Sequence, residues 1–152
     1  MAPTQEVINT AMGRAYDQMG KPYAIGGPDG NGGWVVRGKP AVDDENPNEF
    51  DCSGFSKWVV ARCGVILPDG CAAQIKFCSK LDDGELPLDL GFAALHGADV
   101  DHVVVVFDRD RVIEARGHQE GKDYGKVIIR PKSAWEVQKG FLGWYRVPGI
   151  RA

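Results

Sequence analysis

The sequence lacks the features that mark membrane-spanning and nucleic-acid-binding proteins. It contains no apolar run of about 18 or more residues, the length that a helix needs to cross a bilayer. Its 18 lysines and arginines are outnumbered by 21 aspartates and glutamates, and they form no basic cluster that would bind a phosphate backbone. The sequence therefore predicts a chain that does not insert into membranes and does not take nucleic acid as its main partner.

The N-terminus also lacks the basic and then apolar layout of a signal peptide, since it reads Met-Ala-Pro-Thr-Gln-Glu-Val. Neither an internal repeat nor a linker-like composition interrupts the 152 residues. A chain of this length buries a sizeable core without metal or disulfide cross-links. We therefore expect one domain over residues 1–152 and no signal peptide.

The four cysteines do not follow a metal-binding pattern. The spacing of Cys63, Cys71 and Cys78 differs from the close pairs of ligands in common zinc sites. The glycine-rich run Gly26–Gly33 lacks the Lys-Ser/Thr ending of a phosphate-binding P-loop, so it predicts a plain loop. The sequence thus predicts no metal and no cofactor. It leaves open a Cys71–Cys78 or Cys63–Cys71 disulfide, and it favours packing of Cys63 in the core.

Periodicity divides the chain into a helical part and a strand-rich part. One predicted helix begins after Thr4 and ends at Gly20, with apolar residues on one face: Val7, Ile8, Ala11, Met12, Ala15 and Met19. A second helix begins near Cys52, and a third covers about 72–81. Strands follow at about 88–94, 102–107, 111–116, 126–130 and 142–147, with a helical turn over 133–138. Helices followed by antiparallel strands indicate an α+β fold, with N-terminal helices packed on a C-terminal antiparallel β-sheet.

The segment from residue 50 to residue 55 reads Phe-Asp-Cys-Ser-Gly-Phe and places Cys52 at the start of the second helix. Asp51 or Ser53 can cap this helix, and Gly64 can end it. The positive end of a helix dipole stabilises a thiolate, which is the nucleophilic form of cysteine. A free cysteine is more often a small core residue, but this capped position indicates a nucleophile.

Two β-rich runs farther along the chain predict a hairpin around the polar turn Asp108–Asp110. His102 opens the first run, and Glu114 lies in the second. A cysteine protease needs a thiolate, an imidazole that takes and returns its proton, and a third group that holds the imidazole in one tautomer. Cys52, His102 and Glu114 provide one of each.

The length of the hairpin loop decides whether Glu114 and His102 share a face of the sheet. A three-residue loop pairs Val104 with Glu114 and places Glu114 diagonal to His102, at about 7–8 Å between backbones. A two-residue loop points Glu114 to the opposite face unless a bulge corrects it. In that case His118 is the alternative residue that orients His102.

Several segments resemble the NlpC/P60 family, which are papain-like peptidases of bacterial cell-wall peptides. They are Gly20-Lys-Pro-Tyr-Ala-Ile-Gly-Gly27, Phe50-Asp-Cys-Ser-Gly-Phe55, Ile66-Leu-Pro68 with Gln74, and the aliphatic strand that His102 opens. The resemblance runs from about Val7 to Pro148. It implies that Cys52 is the nucleophile, His102 the base and Glu114 the residue that orients the base, without metal or cofactor.

The resemblance also implies roles for residues that flank the nucleophile. Tyr23 corresponds to a tyrosine whose hydroxyl polarises the scissile carbonyl or holds substrate, and packing on the cleft wall is the alternative. Asp51 and Ser53 flank the cysteine as in relatives that bind the free amine of a stem peptide, unless they act only as caps. The backbone N–H of Cys52 is the natural donor to an oxyanion.

Other residues are expected to be structural. For Arg116 an ordinary strand-end charge is favoured over contact with substrate carboxylates. His96 reads as a surface residue and Trp135 as packing. The stretch Gly26–Glu49 is longer than in many family members. It predicts a surface loop, with Trp34 on it, that shapes substrate access.

The function that the resemblance implies is a cysteine endopeptidase that hydrolyses stem or cross-bridge peptides of bacterial peptidoglycan. The bond stays open between the D-Glu–diamino acid link, the cross-bridge and the sugar–peptide junction of an amidase. Without a signal peptide, delivery by phage lysis or a phage tail is favoured over a secretion machine or excision from a longer exported protein. A papain-like acyltransferase or deamidating effector and a non-catalytic phage tail component are the alternative functions.

Overall fold

The computed structural model describes residues 2–23, 35–36, 39–40, 42, 44–117 and 125–151. In these ranges the helices are α1 (Gln5–Tyr16), α2 (Cys52–Ala61), α3 (Cys71–Phe77) and α4 (Lys132–Glu136). The strands are β1 (Val35–Val36), β2 (Lys39–Pro40), β3 (Ser79–Lys80), β4 (Leu90–Ala93), β5 (His102–Val106), β6 (Arg111–Ala115), β7 (Val127–Pro131) and β8 (Phe141–Arg146). No helix among them is long and apolar enough to span a bilayer.

The larger sheet is antiparallel, with the strand order β3-β8-β4-β5-β6-β7. Helix α2 packs on β5 and β6, and α1 packs against α2. The predicted apolar stripe of α2 is buried in this interface, with Phe55, Trp58 and Val59 at most 1% exposed. The predicted α+β arrangement, helices on an antiparallel sheet, is therefore confirmed.

Helix α1 differs from its prediction at its end. It ends at Tyr16 rather than at Gly20, and Val7 and Met19 are exposed rather than on the buried face. The N–H of Gly20 donates to the carbonyl of Val127 on β7, which draws the chain away from the helix axis. The buried face consists of Ile8, Ala11, Met12 and Ala15.

Helix α3 is shorter than the predicted 72–81, because Ser79 and Lys80 pair with β8 as an edge strand. The buried side chain of Gln74 fixes this helix against the start of α2. Its Nε2 donates to the carbonyl oxygens of Ser53 and Pro68 at 3.0 Å each, and its Oε1 accepts from the Ser56 hydroxyl at 2.7 Å. The N-terminal ends of α2 and α3 are thereby held side by side.

The β5–β6 hairpin has the register that a three-residue loop predicts. Val105 pairs with Ile113, and the N–H of Phe107 donates to the carbonyl of Arg111 across the loop. The same register places Val104 beside Glu114. Glu114 is therefore diagonal to His102, at the start of β5, on the same face of the sheet.

The long segment before α2 is described only in part. Two of its residues bind the helices: the carbonyl of Asp44 accepts from the Trp58 indole N–H at 2.7 Å, and that of Glu45 from the Arg14 guanidinium at 2.6 Å. The side chain of Asn46 accepts from the ammonium of Lys21, after α1, at 2.8 Å. Gly26–Gly33 and Trp34 lie outside the described residues. Their contribution to substrate access stays a prediction.

Candidate active site

Cys52 is the first residue of α2, and Asp51 is the cap of that helix. The Asp51 carboxylate accepts from the N–H of Gly54 at 2.5 Å. The N–H groups of the first helical turn have no partner within the helix, so they concentrate positive potential around the Cys52 sulfur. Asp51 and Ser53 are both buried. The structure thus gives Asp51 the capping role, and contact of either side chain with a substrate amine stays a prediction.

His102 is the first residue of β5, the strand that packs on α2, and it contacts Glu114. Its Nε2 is 3.0 Å from Glu114 Oε1, and both side chains are buried. His102 and Cys52 interact, since the imidazole lowers the pKa of the thiol and the thiolate raises that of the imidazole. Because Nε2 faces the carboxylate, Nδ1 is the ring nitrogen that faces the thiol. The three residues form one series, Cys52–His102–Glu114, while His118 lies outside the described residues.

Glu114 is bound by two further donors that the sequence interpretation missed. The indole N–H of Trp135 donates to Oε2 at 2.6 Å, and Arg116 Nη1 donates to Oε1 at 3.3 Å. The Trp135 ring also stacks on the imidazole of His102, with ring centroids 5.0 Å apart and an interplanar angle of 23°. The guanidinium of Arg116 lies 5.2 Å from the Trp135 ring centroid.

Trp135 packs in the core, as predicted, and it also binds Glu114. The expectation for Arg116 is wrong, because it is a buried partner of Glu114 rather than an ordinary strand-end charge. Trp135 lies on α4, which follows β7 and is distant from His102 in sequence. No local sequence pattern therefore connects the two residues. For Arg116 a signal was present, because it lies two residues after Glu114 and side chains alternate along a strand.

The electrostatics of the site favour a thiolate–imidazolium pair. A hydrogen bond with Cys71 lowers the pKa of Cys52 well below that of an ordinary thiol, and the hydrogen bond and charge of His102 lower it further against the effect of burial. Burial opposes a charged imidazole, yet hydrogen bonds and charges from Cys52 and Glu114 outweigh it and raise the pKa of His102 to about 9. Burial likewise opposes the Glu114 carboxylate, but His102, Arg116 and Trp135 keep its pKa below the usual value.

Tyr23 lies beside Cys52, as the resemblance implies. It forms a β-bridge with Phe50, two residues before Cys52, and its side chain is close enough to Cys52 to respond to the charge of that sulfur. Burial, and next the negative charge of Cys52, raise the pKa of Tyr23. The hydroxyl therefore stays protonated and is a hydrogen-bond donor at the site.

Cys71 is a second thiol at the site. Its Sγ lies 3.6 Å from the Sγ of Cys52, at the start of α3. All four cysteines are free thiols, so neither of the disulfides that the sequence left open is formed. Cys63 is buried in the core, as predicted. No sequence pattern indicates the Cys52–Cys71 contact, which depends on the packing of α3 against α2.

The loop before His102 is organised by Asp101. Its carboxylate accepts from the N–H groups of Leu95 and His96 and pairs with the His96 ring at 3.0 Å. His96 is exposed, as predicted, but it has a partner that the sequence did not reveal. The carbonyl oxygen of Asp101 lies 3.8 Å from the Cys52 sulfur. Among the described residues, no group of His, Cys, Asp and Glu side chains is arranged to hold a metal ion.

Known proteins share this fold and parts of this sequence. Probable endopeptidase p60 of Listeria innocua is 29% identical over 122 residues, which cover 76% of this chain and 22% of p60. Peptidoglycan endopeptidase RipB of Mycobacterium tuberculosis is 28% identical over 131 residues, which cover 86% of this chain and 50% of RipB. The chain thus spans half or less of the length of either relative.

Solved structures agree with the sequence matches. The RipB structure superposes with a TM-score of 0.65 at 24% identity, covering 97% of this chain and 66% of that chain. RipD of the same organism, a non-catalytic NlpC/p60 domain protein adapted to peptidoglycan binding, superposes with a TM-score of 0.64 at 21% identity, covering 93% of this chain and 97% of RipD. The model of the NlpC/P60 family matches residues 20–136. The chain belongs to the NlpC/P60 family.

Proposed function

We propose that this chain is a single catalytic domain that hydrolyses peptide bonds of bacterial peptidoglycan as a cysteine endopeptidase. The observation that carries the proposal is the continuous series Cys52–His102–Glu114 at the start of a capped helix. Membership of the NlpC/P60 family supports the substrate class, because RipB is named a peptidoglycan endopeptidase. The phage lysin or tail-associated subtype stays a prediction of the sequence.

The reaction begins from the thiolate of Cys52 and the imidazolium of His102. The thiolate attacks the scissile carbonyl carbon, a C–S bond forms, and the carbonyl electrons move onto oxygen. The backbone N–H of Cys52 and the hydroxyl of Tyr23 are the donors available to this oxyanion. His102 gives the proton on Nδ1 to the leaving amine as the C–N bond breaks, which yields an acyl-enzyme.

Hydrolysis of the acyl-enzyme reverses the proton movement. Neutral His102 takes a proton from a water molecule, the hydroxide attacks the thioester carbon, and the C–S bond breaks to restore the thiolate. Glu114 holds Nε2–H of His102 in one orientation throughout and stabilises the imidazolium. Trp135 covers one face of the imidazole and keeps the Glu114 carboxylate in place.

The principal alternative is a domain that binds peptidoglycan without cutting it. RipD, described as non-catalytic, supplies a specific reason to consider it. The site favours catalysis, because a binding module has no use for a nucleophile whose pKa is lowered next to a buried imidazole–carboxylate pair. An acyltransferase or deamidating enzyme would share the triad, and its products would differ.

Digestion of purified peptidoglycan tests the proposal. The wild-type chain, Cys52→Ala and the control Cys78→Ala are incubated with walls of several chemotypes, and the soluble fragments are analysed by mass spectrometry. We expect the wild type and Cys78→Ala to release peptides with new amino and carboxyl termini, and Cys52→Ala to release none. The fragment masses identify the bond within the stem or cross-bridge.

Two results contradict the proposal. Binding of the wild-type chain to every wall without release of fragments would favour the RipD-like function. Transfer of the acyl group to an added amine with no free carboxyl product would favour the acyltransferase.

A further inference from the structure

Two thiols face each other at the nucleophile. The Sγ atoms of Cys52 and Cys71 are 3.6 Å apart, and both residues are buried at the first position of a helix. A disulfide needs an S–S distance of about 2.0 Å, so the sulfurs must approach by roughly 1.5 Å. Gln74 bonds α3 to the carbonyl of Ser53 and holds the two helix ends together. The thiols therefore stay neighbours, and the proposed hydrolysis uses only one of them.

The two thiols differ in their readiness to react. Thiolates are oxidised far faster than thiols, and the pKa of Cys52 is lowered while the pKa of Cys71 is raised. The hydrogen bond with Cys52 raises the pKa of Cys71 most, and burial and the charge of Cys52 add to it. Oxidation of Cys52 to a neutral sulfenic acid removes that negative charge and so favours ionisation of Cys71. Cys71 thus becomes a nucleophile when its neighbour has become an electrophile.

We propose that Cys71 is the resolving thiol of a redox switch, which captures peroxide-oxidised Cys52 as a reversible Cys52–Cys71 disulfide. The expected effect of this disulfide on activity rests on the proposed hydrolase function. While the disulfide exists, the nucleophile is blocked and hydrolysis stops. The same bond protects Cys52 from irreversible oxidation to sulfinic and sulfonic acids.

The steps balance with hydrogen peroxide as the oxidant and a dithiol as the reductant. The Cys52 thiolate attacks one peroxide oxygen, the O–O bond breaks, and hydroxide leaves with the electron pair, which gives Cys52 sulfenic acid and, after protonation, water. The Cys71 thiol then loses its proton, and its thiolate attacks the sulfenic sulfur. The S–O bond breaks, and the leaving hydroxide takes up that proton to form a second water. A dithiol restores both thiols by exchange and is itself oxidised to a disulfide.

The test follows the oxidation state of Cys52 by peptide mass. The wild type, Cys71→Ser and the control Cys78→Ala are exposed to hydrogen peroxide, alkylated without reduction, digested and mapped. We expect the wild type and Cys78→Ala to yield a peptide pair joined through Cys52 and Cys71. We expect Cys71→Ser to carry two or three added oxygen atoms on Cys52. A Cys71→Ala variant repeats the comparison if the serine variant fails to fold.

Recovery after reduction supplies the second readout. Dithiothreitol is expected to restore nearly all activity of the oxidised wild type and less than about a tenth in Cys71→Ser, each relative to its own untreated sample. Sulfinic acid on Cys52 in the wild type to the same extent as in Cys71→Ser would overturn the proposal. A disulfide of Cys52 with any other cysteine would also overturn it. The peptide map does not require the chain to hydrolyse peptidoglycan. A Cys52–Cys71 linked peptide from a chain that digests no wall would therefore support the switch and contradict only the proposed function.

Discussion

Glu114 carries its charge in a fully buried position, and its three hydrogen-bond donors explain how the fold accommodates it. His102, Trp135 and Arg116 all direct N–H groups at its two oxygens. Burying a carboxylate without such donors would lower the free energy of unfolding by several kcal/mol. The three donors are therefore what allows Glu114 to stay charged in the core. This cluster makes the histidine a stronger base and fixes which of its nitrogens faces the thiol.

The charge of Glu114 is expected to set the alkaline limit of activity. The active ion pair is lost when the imidazolium of His102, whose pKa is about 9, gives up its proton. Glu114→Gln removes one of the charges that raise this pKa, so the alkaline limb of kcat/KM moves to lower pH. The maximal rate falls on the order of 100-fold. The measurement is the pH profile of wall hydrolysis.

Glu136→Gln is the matched control, because Glu136 also accepts from a tryptophan indole but lies outside the triad. Its profile should overlay that of the wild type. An unchanged alkaline limb in Glu114→Gln would show that the carboxylate does not act on His102.

Trp135 is a positioning residue whose two contacts are separable by mutation. Trp135→Phe keeps an aromatic ring on the imidazole and removes the N–H that binds Glu114. A hydrogen bond to a charged group contributes about 1.5–3 kcal/mol, so we expect kcat to fall by about tenfold or more with KM nearly unchanged. Steady-state kinetics on a soluble stem-peptide fragment provide this measurement.

Trp144→Phe serves as the control, since it removes an indole hydrogen bond from Trp144, on β8, to Glu136. Its kcat should equal that of the wild type. If Trp135→Phe lowers the melting temperature but leaves kcat intact, Trp135 is merely structural.

At the scale of elements, the caps of α1 and α2 form a natural comparison. Thr4 and Asp51 each accept a backbone N–H at the start of their helix, at 3.2 Å and 2.5 Å respectively. Loss of such a cap costs about 1 kcal/mol. We expect Thr4→Ala and Asp51→Ala to lower the free energy of unfolding by similar amounts, measured by urea denaturation.

Only the second of these variants should affect the nucleophile, because Asp51 sets the start of the helix that presents Cys52. The rate of Cys52 alkylation should fall in Asp51→Ala and stay unchanged in Thr4→Ala. If both variants change the alkylation rate equally, the reactivity of Cys52 does not depend on the cap of its own helix.

The sequence predicted elements best where local rules decide the structure. The loop Asp108–Asp110 sets the hairpin register, and that register alone places Glu114 diagonal to His102. The end of α1 and the strand at Ser79–Lys80 depend instead on hydrogen bonds to β7 and β8, which are distant in sequence. The site contacts of Trp135 and Cys71 were not predicted for the same reason, since the packing of α4 and α3 brings these residues to the site.

For the molecule as a whole, Asp89 connects the sheet to the C-terminal segment. Its buried carboxylate accepts from the N–H of Leu86 at 2.7 Å and from Arg146 at 2.8 Å, and Arg151 lies 3.8 Å away. Asp89→Ala leaves these donors without their acceptor. We expect the free energy of unfolding to fall by about 3 kcal/mol, as measured by urea denaturation.

The site should tolerate this loss, because none of the contacts of Asp89 involves Cys52 or His102. Arg111→Ala provides a control, since its pair with Asp108 is exposed and should contribute little to the free energy of unfolding. Equal destabilisation by the two variants would contradict the assignment of Asp89 as the main link.

The pH dependence of Cys52 alkylation tests the thiolate–imidazolium pair itself, because it requires no assumption about the substrate. The rate of modification by iodoacetamide is followed at each pH, and the site is assigned by peptide mass. The structure predicts that Cys52 is alkylated at pH values well below the ordinary thiol pKa of about 8.5. The alkylation rate should change again near pH 9, where His102 loses its proton. A single rise of Cys52 reactivity near the ordinary thiol pKa, identical in His102→Ala, would contradict the account.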